Sequence, residues 1–171
     1  MQNKWYHPLP VLLMLVVGTL LVACSTTKHI PENDQLFIGL KDIDYKNYED
    51  NSHFTTTQEE VEASLATAPN GALFGSSYYR TPFPYGLWIW NAFSGLDGKV
   101  PQWITKTFGK APVLMSNVNP SLRALVAQTV MRNHGYLNGK VDYEVIKQKN
   151  PKKAKIAYHV DFGTLFRVDT L

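Results

Sequence analysis

Two alternating segments near the C-terminus constrain the fold of this chain most. In Val141-Asp142-Tyr143-Glu144-Val145, the apolar residues Val141, Tyr143 and Val145 alternate with Asp142 and Glu144. From Lys155 to Phe162, the residues Ile156, Tyr158, Val160 and Phe162 alternate with Lys155, Ala157, His159 and Asp161. Successive strand side chains point to opposite faces, so a period of two predicts strands with one buried and one wet face. The connection from Lys147 to Lys153 carries Asn150-Pro151 and predicts a hairpin. An antiparallel pair wet on one face must be covered on the other.

The cover is legible upstream. Asn119 is a good N-cap, Pro120 suits the first helical position, and Leu122, Leu125, Val126 and Val130 recur at helical spacing. Gly135 sits where a left-handed residue ends a helix. This spacing turns Leu125 onto the sheet, against Tyr143 and Ile156, with Tyr143 packed inside. Further upstream, Leu36 to Tyr45 reads as a first strand, with Ile43 and Tyr45 on one face and Asp42 and Asp44 on the other. Residues 46–56 read as a polar loop. Thr57-Gln58-Glu59-Glu60 has the form of a capping box, which predicts a helix carrying Val61 and Leu65 on one face and ending by Pro69-Asn70-Gly71.

Between these helices, residues 71–116 are rich in Gly, Pro and aromatic residues, with helical pieces expected around Leu87–Phe93 and Pro101–Phe108. Trp88, Trp90, Phe93, Trp103 and Phe108 have two readings: a small subcore, or an exposed patch for a partner or a bilayer interface. The order is strand, helix, aromatic insertion, helix, strand, strand. It predicts an α+β fold, a three-stranded mixed sheet covered on one face by two helices.

The N-terminus points to secretion. Residues 1–7 carry Lys4 and no acid, residues 8–23 are largely apolar, and Cys24 follows. The run is shorter than the roughly 20 residues of a spanning helix and has the layout of a signal peptide. Leu21-Val22-Ala23-Cys24 resembles the bacterial lipobox. That resemblance implies cleavage before Cys24, a diacylglycerol on its thiol and an acylated (palmitate-class) N-terminus. Ser25, with no Asp there, resembles lipoproteins sent to the outer membrane. The expected organisation is a signal peptide over 1–23, a polar tether over 24–35, one domain over 36–163 and the start of a further unit over 164–171.

Catalysis finds little support. Cys24 is the only cysteine, which excludes an intramolecular disulfide and a cysteine-rich zinc site. The histidines, His7, His29, His53, His134 and His159, show no metal-binding helical spacing. Gly109-Lys110-Ala111-Pro112 lacks the long glycine-rich turn of a phosphate loop. Asp42, Asp44, Asp142 and Glu144 are explained by alternation as wet strand faces. A net charge of +3 does not imply nucleic acid. No enzyme activity, cofactor or metal is expected. Lys147, Lys149, Lys152, Lys153 and Lys155 cluster around the hairpin. They read either as a solvated tip or, for Lys147, Lys149, Lys152 and Lys153, as contacts to anionic lipid or an acidic partner.

The element order, with His134-Gly135-Tyr136-Leu137 after a helix and a strand-Gly163-x-x-Phe166-x-Val168 junction, resembles the POTRA repeat of BamA/TamA-like outer-membrane assembly proteins. Cys24-Ser-Thr-Thr-Lys-His-Ile-Pro, Tyr85-Gly86-Leu87-Trp88 and Gly109-Lys110-Ala111-Pro112-Val113-Leu114 resemble the lipid-anchored TamA-like branch. The resemblance covers about 24–171 and lacks the membrane β-barrel. It implies a lipid-anchored periplasmic module at the outer membrane that receives unfolded outer-membrane proteins and accessory assembly proteins. Docking would be by strand addition to Val141, Asp142, Tyr143, Glu144 and Val145, the expected sheet edge. The competing expectation is a small-ligand-binding outer-membrane lipoprotein that uses its aromatic insertion.

Overall fold

The computed structural model describes residues 26–167, so Cys24 and Val168–Leu171 lie outside the described residues. The chain divides into two compact units. One contains His29 and Tyr85–Ala111; the other spans Ile30–Pro84 and continues from Pro112.

The larger unit is the expected α+β layer. Strands β1 (Leu36–Lys46), β2 (Lys140–Lys147) and β3 (Lys153–Asp161) form a mixed sheet in the order β1-β3-β2. β1 runs parallel to β3, and β2 runs antiparallel to it, with Val141 opposite Val160 and Val145 opposite Ile156. Helix α1 (Ser52–Leu65) follows β1. Helices α2 (Tyr85–Phe93) and α3 (Lys99–Phe108) form the smaller unit. A single turn, α4 (Met115–Val118), leads into α5 (Pro120–Asn133).

One core joins sheet and helices in the larger unit. Phe54, Val61 and Leu65 of α1 and Ala124, Ala127 and Met131 of α5 bury against Phe37, Leu40, Ile156, Tyr158 and Phe162. Phe37 and Leu40 are an odd number of positions apart, yet both belong to this core. The register shifts between them, and Gly39 at φ 116° supplies the irregularity. A Cβ there would stand 2.7 Å from the Ser77 carbonyl oxygen, which accepts a hydrogen bond from the Leu40 amide. A bulge with glycine in the left-handed region re-aims a strand's side chains in this way.

Three local expectations are corrected. Helix α1 begins before the capping-box pattern: Asn51 is its N-cap, accepting from the Phe54 amide at 2.9 Å. Thr57 is instead buried in mid-helix, its hydroxyl donating to the His53 carbonyl oxygen. Residues 52–56, expected in a loop, are therefore helical. The second correction is the face of α5. Leu125 is 55% exposed, and Leu122 and Val126 are exposed with it, while Ala124, Ala127 and Met131 are buried. Small residues bring α5 close to the layer beneath it, which the larger residues would prevent. Third, Tyr143 is 42% exposed rather than packed inside, because β2 is the outer strand and its middle is not fully roofed.

The caps at the other helix ends hold. Asn119 accepts from the Leu122 amide, Pro120 opens α5, and Gly135 takes φ 90°. A side chain at Gly135 would strike the Phe166 carbonyl oxygen at 2.7 Å. The Phe166 amide in turn donates to the Gly135 carbonyl, tying the segment after β3 to the turn after α5.

Candidate strand-docking edge

β2 lies at the edge of the sheet, as expected for Val141–Val145, and pairs with β3 alone among the described residues. The backbone decides which groups it offers. The Gln148 amide donates to the Lys153 carbonyl oxygen, and the register carries that pairing down the strand through Ile146–Lys155, Glu144–Ala157 and Asp142–His159. In an antiparallel ladder, hydrogen-bonded and outward-pointing residues alternate. The N–H and C=O groups of Val141, Tyr143, Val145 and Lys147 therefore point away from β3, and those of Asp142 and Glu144 point into the ladder. The other side of β3 agrees: the Phe162 amide donates to Lys46 of β1.

The two ends of the outward row differ. At its start, Gln128 of α5 donates its side-chain amide to the Gly139 carbonyl oxygen at 2.9 Å. At its far end, an open groove of about 840 Å³ runs beside Tyr143, Val145 and Lys147, walled by Met115, Pro120 and Ser121. Its floor is held by Asp34, whose carboxylate accepts from the Ser116 amide and hydroxyl at the start of α4. Burial raises the Asp34 pKa, but the hydrogen bonds from Ser116 and from the Gln35 and Met115 amides outweigh it and hold the carboxyl below its ordinary value. Gln35 adds a bond from its side chain to the Pro151 carbonyl oxygen. The tether's second half is thus part of the groove wall, which alternation in the strands could not reveal.

The lysines separate. Lys147 and Lys152 line this groove, and Lys149 is exposed on the hairpin. Lys153 is partly buried, and desolvation, then the nearby Arg80 charge, lowers its pKa. The acidic residues Asp42, Asp44, Asp142 and Glu144 are all exposed. His159 lies 3.8 Å from Asp44 on the wet face of the sheet. Sequence spacing did not bring His53 and His134 together, but the fold does: their rings lie 5.8 Å apart, and His134 Nε2 is 2.9 Å from a Glu60 oxygen. Among the described residues no group of three or more His, Cys, Asp or Glu could hold a metal ion.

The aromatic insertion divides between its two readings. Trp88, Trp90 and Phe93 on α2 are partly buried, whereas Trp103 and Phe108 on α3 are exposed. Among the described residues no helix is long and apolar enough to cross a membrane. Compared with protein families, curated proteins and solved structures, the chain matches none.

Proposed function

We propose that this protein is a periplasmic docking module of a BamA/TamA-like outer-membrane assembly factor, anchored by an acylated Cys24. Its POTRA-like domain receives unfolded outer-membrane proteins, or accessory proteins, by strand addition. The observation that carries this reading is the outward row of backbone groups at Val141, Tyr143, Val145 and Lys147, with a groove along its far half. An extended peptide satisfies such a row by pairing with it, and pockets for alternate side chains supply selectivity. Transmembrane barrel strands alternate apolar and polar side chains. One face of such a strand would meet Tyr143, Val145, Met115 and Pro120 while the other stays in water.

The Val141, Asp142, Tyr143, Glu144 and Val145 segment divides into two roles under this reading. Val141, Tyr143 and Val145 offer the pairing groups, while Asp142 and Glu144 hold β2 to β3. Proline has no amide hydrogen, so Tyr143→Pro removes one outward donor and leaves the ladder to β3 intact. The test is crosslinking of nascent outer-membrane proteins to the protein in cells. Tyr143→Pro, folded by circular dichroism, is expected to lose most of the crosslinked product. Capture at the wild-type level by that folded variant would remove β2 as the docking site.

A further inference from the structure

Helix α3 is the most lopsided helix of the described chain, and none of its residues is buried. Val100 and Trp103 are exposed, and the partly buried Ile104 continues their stripe at helical spacing. Lys99 and Lys106, seven positions apart, flank Trp103 on one side, and both are exposed. Phe108 meets Trp103 edge-on at 5.8 Å and is itself exposed. Leu96, in the turn before α3, adds a further exposed apolar side chain. Tyr85 to Ala111 carries Lys99, Lys106 and Lys110 against Asp97 as its one acid. A Trp-bearing apolar stripe bordered by lysines has the composition of a helix lying in a membrane interface. There the indole sits at headgroup level and lysine stems follow the apolar surface while their charges stay in water.

The tether supplies the second observation. The His29 ring packs edge-on against Trp90 of α2 at 5.6 Å, within the same unit. His29 is five residues after Cys24. Five fully extended residues reach on the order of 18 Å, less than the thickness of a bilayer's hydrocarbon core. A lipid on Cys24 therefore holds the α2–α3 unit next to the bilayer surface, whatever the conformation of the residues between.

We propose that the α2–α3 hairpin is a membrane-interface element that lays Val100, Trp103 and Phe108 into the headgroup layer of the bilayer, with Lys99 and Lys106 on its anionic lipids. The inference rests on the reading of Cys24 as the anchor, and the two fail separately in the experiment below. The whole protein, as cells produce it, is reconstituted into vesicles of phosphatidylethanolamine and phosphatidylglycerol. Trp5, Trp88 and Trp90 are replaced by Phe, leaving Trp103 as the fluorophore. Lipids brominated near the headgroup are expected to quench Trp103 several-fold more than lipids brominated near the chain ends, and aqueous iodide is expected to quench it little. Full iodide quenching with no quenching by either lipid overturns the proposal and leaves this face to a protein partner. If the triple variant does not fold, Trp103→Phe in the otherwise wild-type protein is used. Loss of the lipid-quenched fraction supports the proposal, and an unchanged fraction overturns it. Acyl mass on the N-terminal peptide is measured on the same samples. Lipid-quenched Trp103 without acyl mass removes the acyl anchor and keeps the hairpin, and acyl mass with Trp103 in water removes the hairpin alone.

Discussion

Gln128 Nε2 donates to the carbonyl oxygen of Gly139 at 2.9 Å, so α5 seals the outer side of the chain one residue before β2 begins. Gly139 is buried, and its carbonyl points along the row that Val141 and Tyr143 continue. Gln128→Leu leaves that oxygen without its protein donor. It is expected to lower the unfolding free energy by about 1–3 kcal/mol in a urea titration, the usual cost of an unsatisfied buried acceptor. A change within a few tenths of a kcal/mol would mean that water replaces the side chain.

The alternation in β2 makes two neighbouring prolines unequal. Glu144→Pro removes an amide that points into the β2–β3 ladder and is expected to cost about 1–3 kcal/mol. Tyr143→Pro removes an outward amide and is expected to cost distinctly less. Thermal melts of the two variants check this, and the reverse order would show that the ladder has the opposite phase.

The exposed face of α5 yields an equally sharp contrast. Met131 is fully buried in the core, so Met131→Ala is expected to cost about 2–5 kcal/mol. Leu125 stands largely in water, and Leu125→Ala is expected to stay within about 0.5 kcal/mol of wild type. Chemical denaturation of both variants tests which face is inward.

Tyr158 is fully buried, and its hydroxyl finds no hydrogen-bond partner among the described residues. Burial, with a smaller contribution from Tyr143, pushes its pKa up to about 12 although Arg123 draws it down. The unfolded chain loses this proton near the ordinary tyrosine value of 10.0, before the folded chain does. The associated stability is therefore complete below about pH 10 and is lost as pH rises from there to about 12. Tyr158→Phe is expected to be neutral or slightly stabilising at pH 7 and to flatten that alkaline fall. Burial also raises the Tyr45 pKa, so part of the slope persists. Denaturation midpoints measured across the alkaline range check both effects.

Much of this fold was legible because period-two alternation and helix caps act locally. Asn119, Pro120 and Gly135 each took the expected cap role, and the strands and both helices of the insertion formed where they were expected. The misreadings share a cause, which is competition between local preference and layer geometry. Leu122, Leu125 and Val126 repeat at helical spacing, but Ala124 and Ala127 repeat too, and close approach of α5 selects the small residues. Thr57 and Glu60 have a cap's spacing, but Asn51 captures the Phe54 amide first and brings Thr57 into the buried middle of the helix. The groove beside β2 was hidden because Asp34, Met115 and Pro120 reach it from distant parts of the chain.

The two edges of the sheet are not alike, and this bears on self-association. On the outer side of β1 the Phe37 amide is taken by Val113 and the Leu40 amide by Ser77, and Leu36 bridges to Leu114. Farther along, Lys41, Asp42, Asp44 and Lys46 make that strand charged, a feature that discourages edge pairing. Fibril growth needs a donor edge and a receiving edge on every copy. With β2 as the available side, two copies that met edge to edge would close on each other about a two-fold axis, leaving a third copy only the partly covered and charged side of β1.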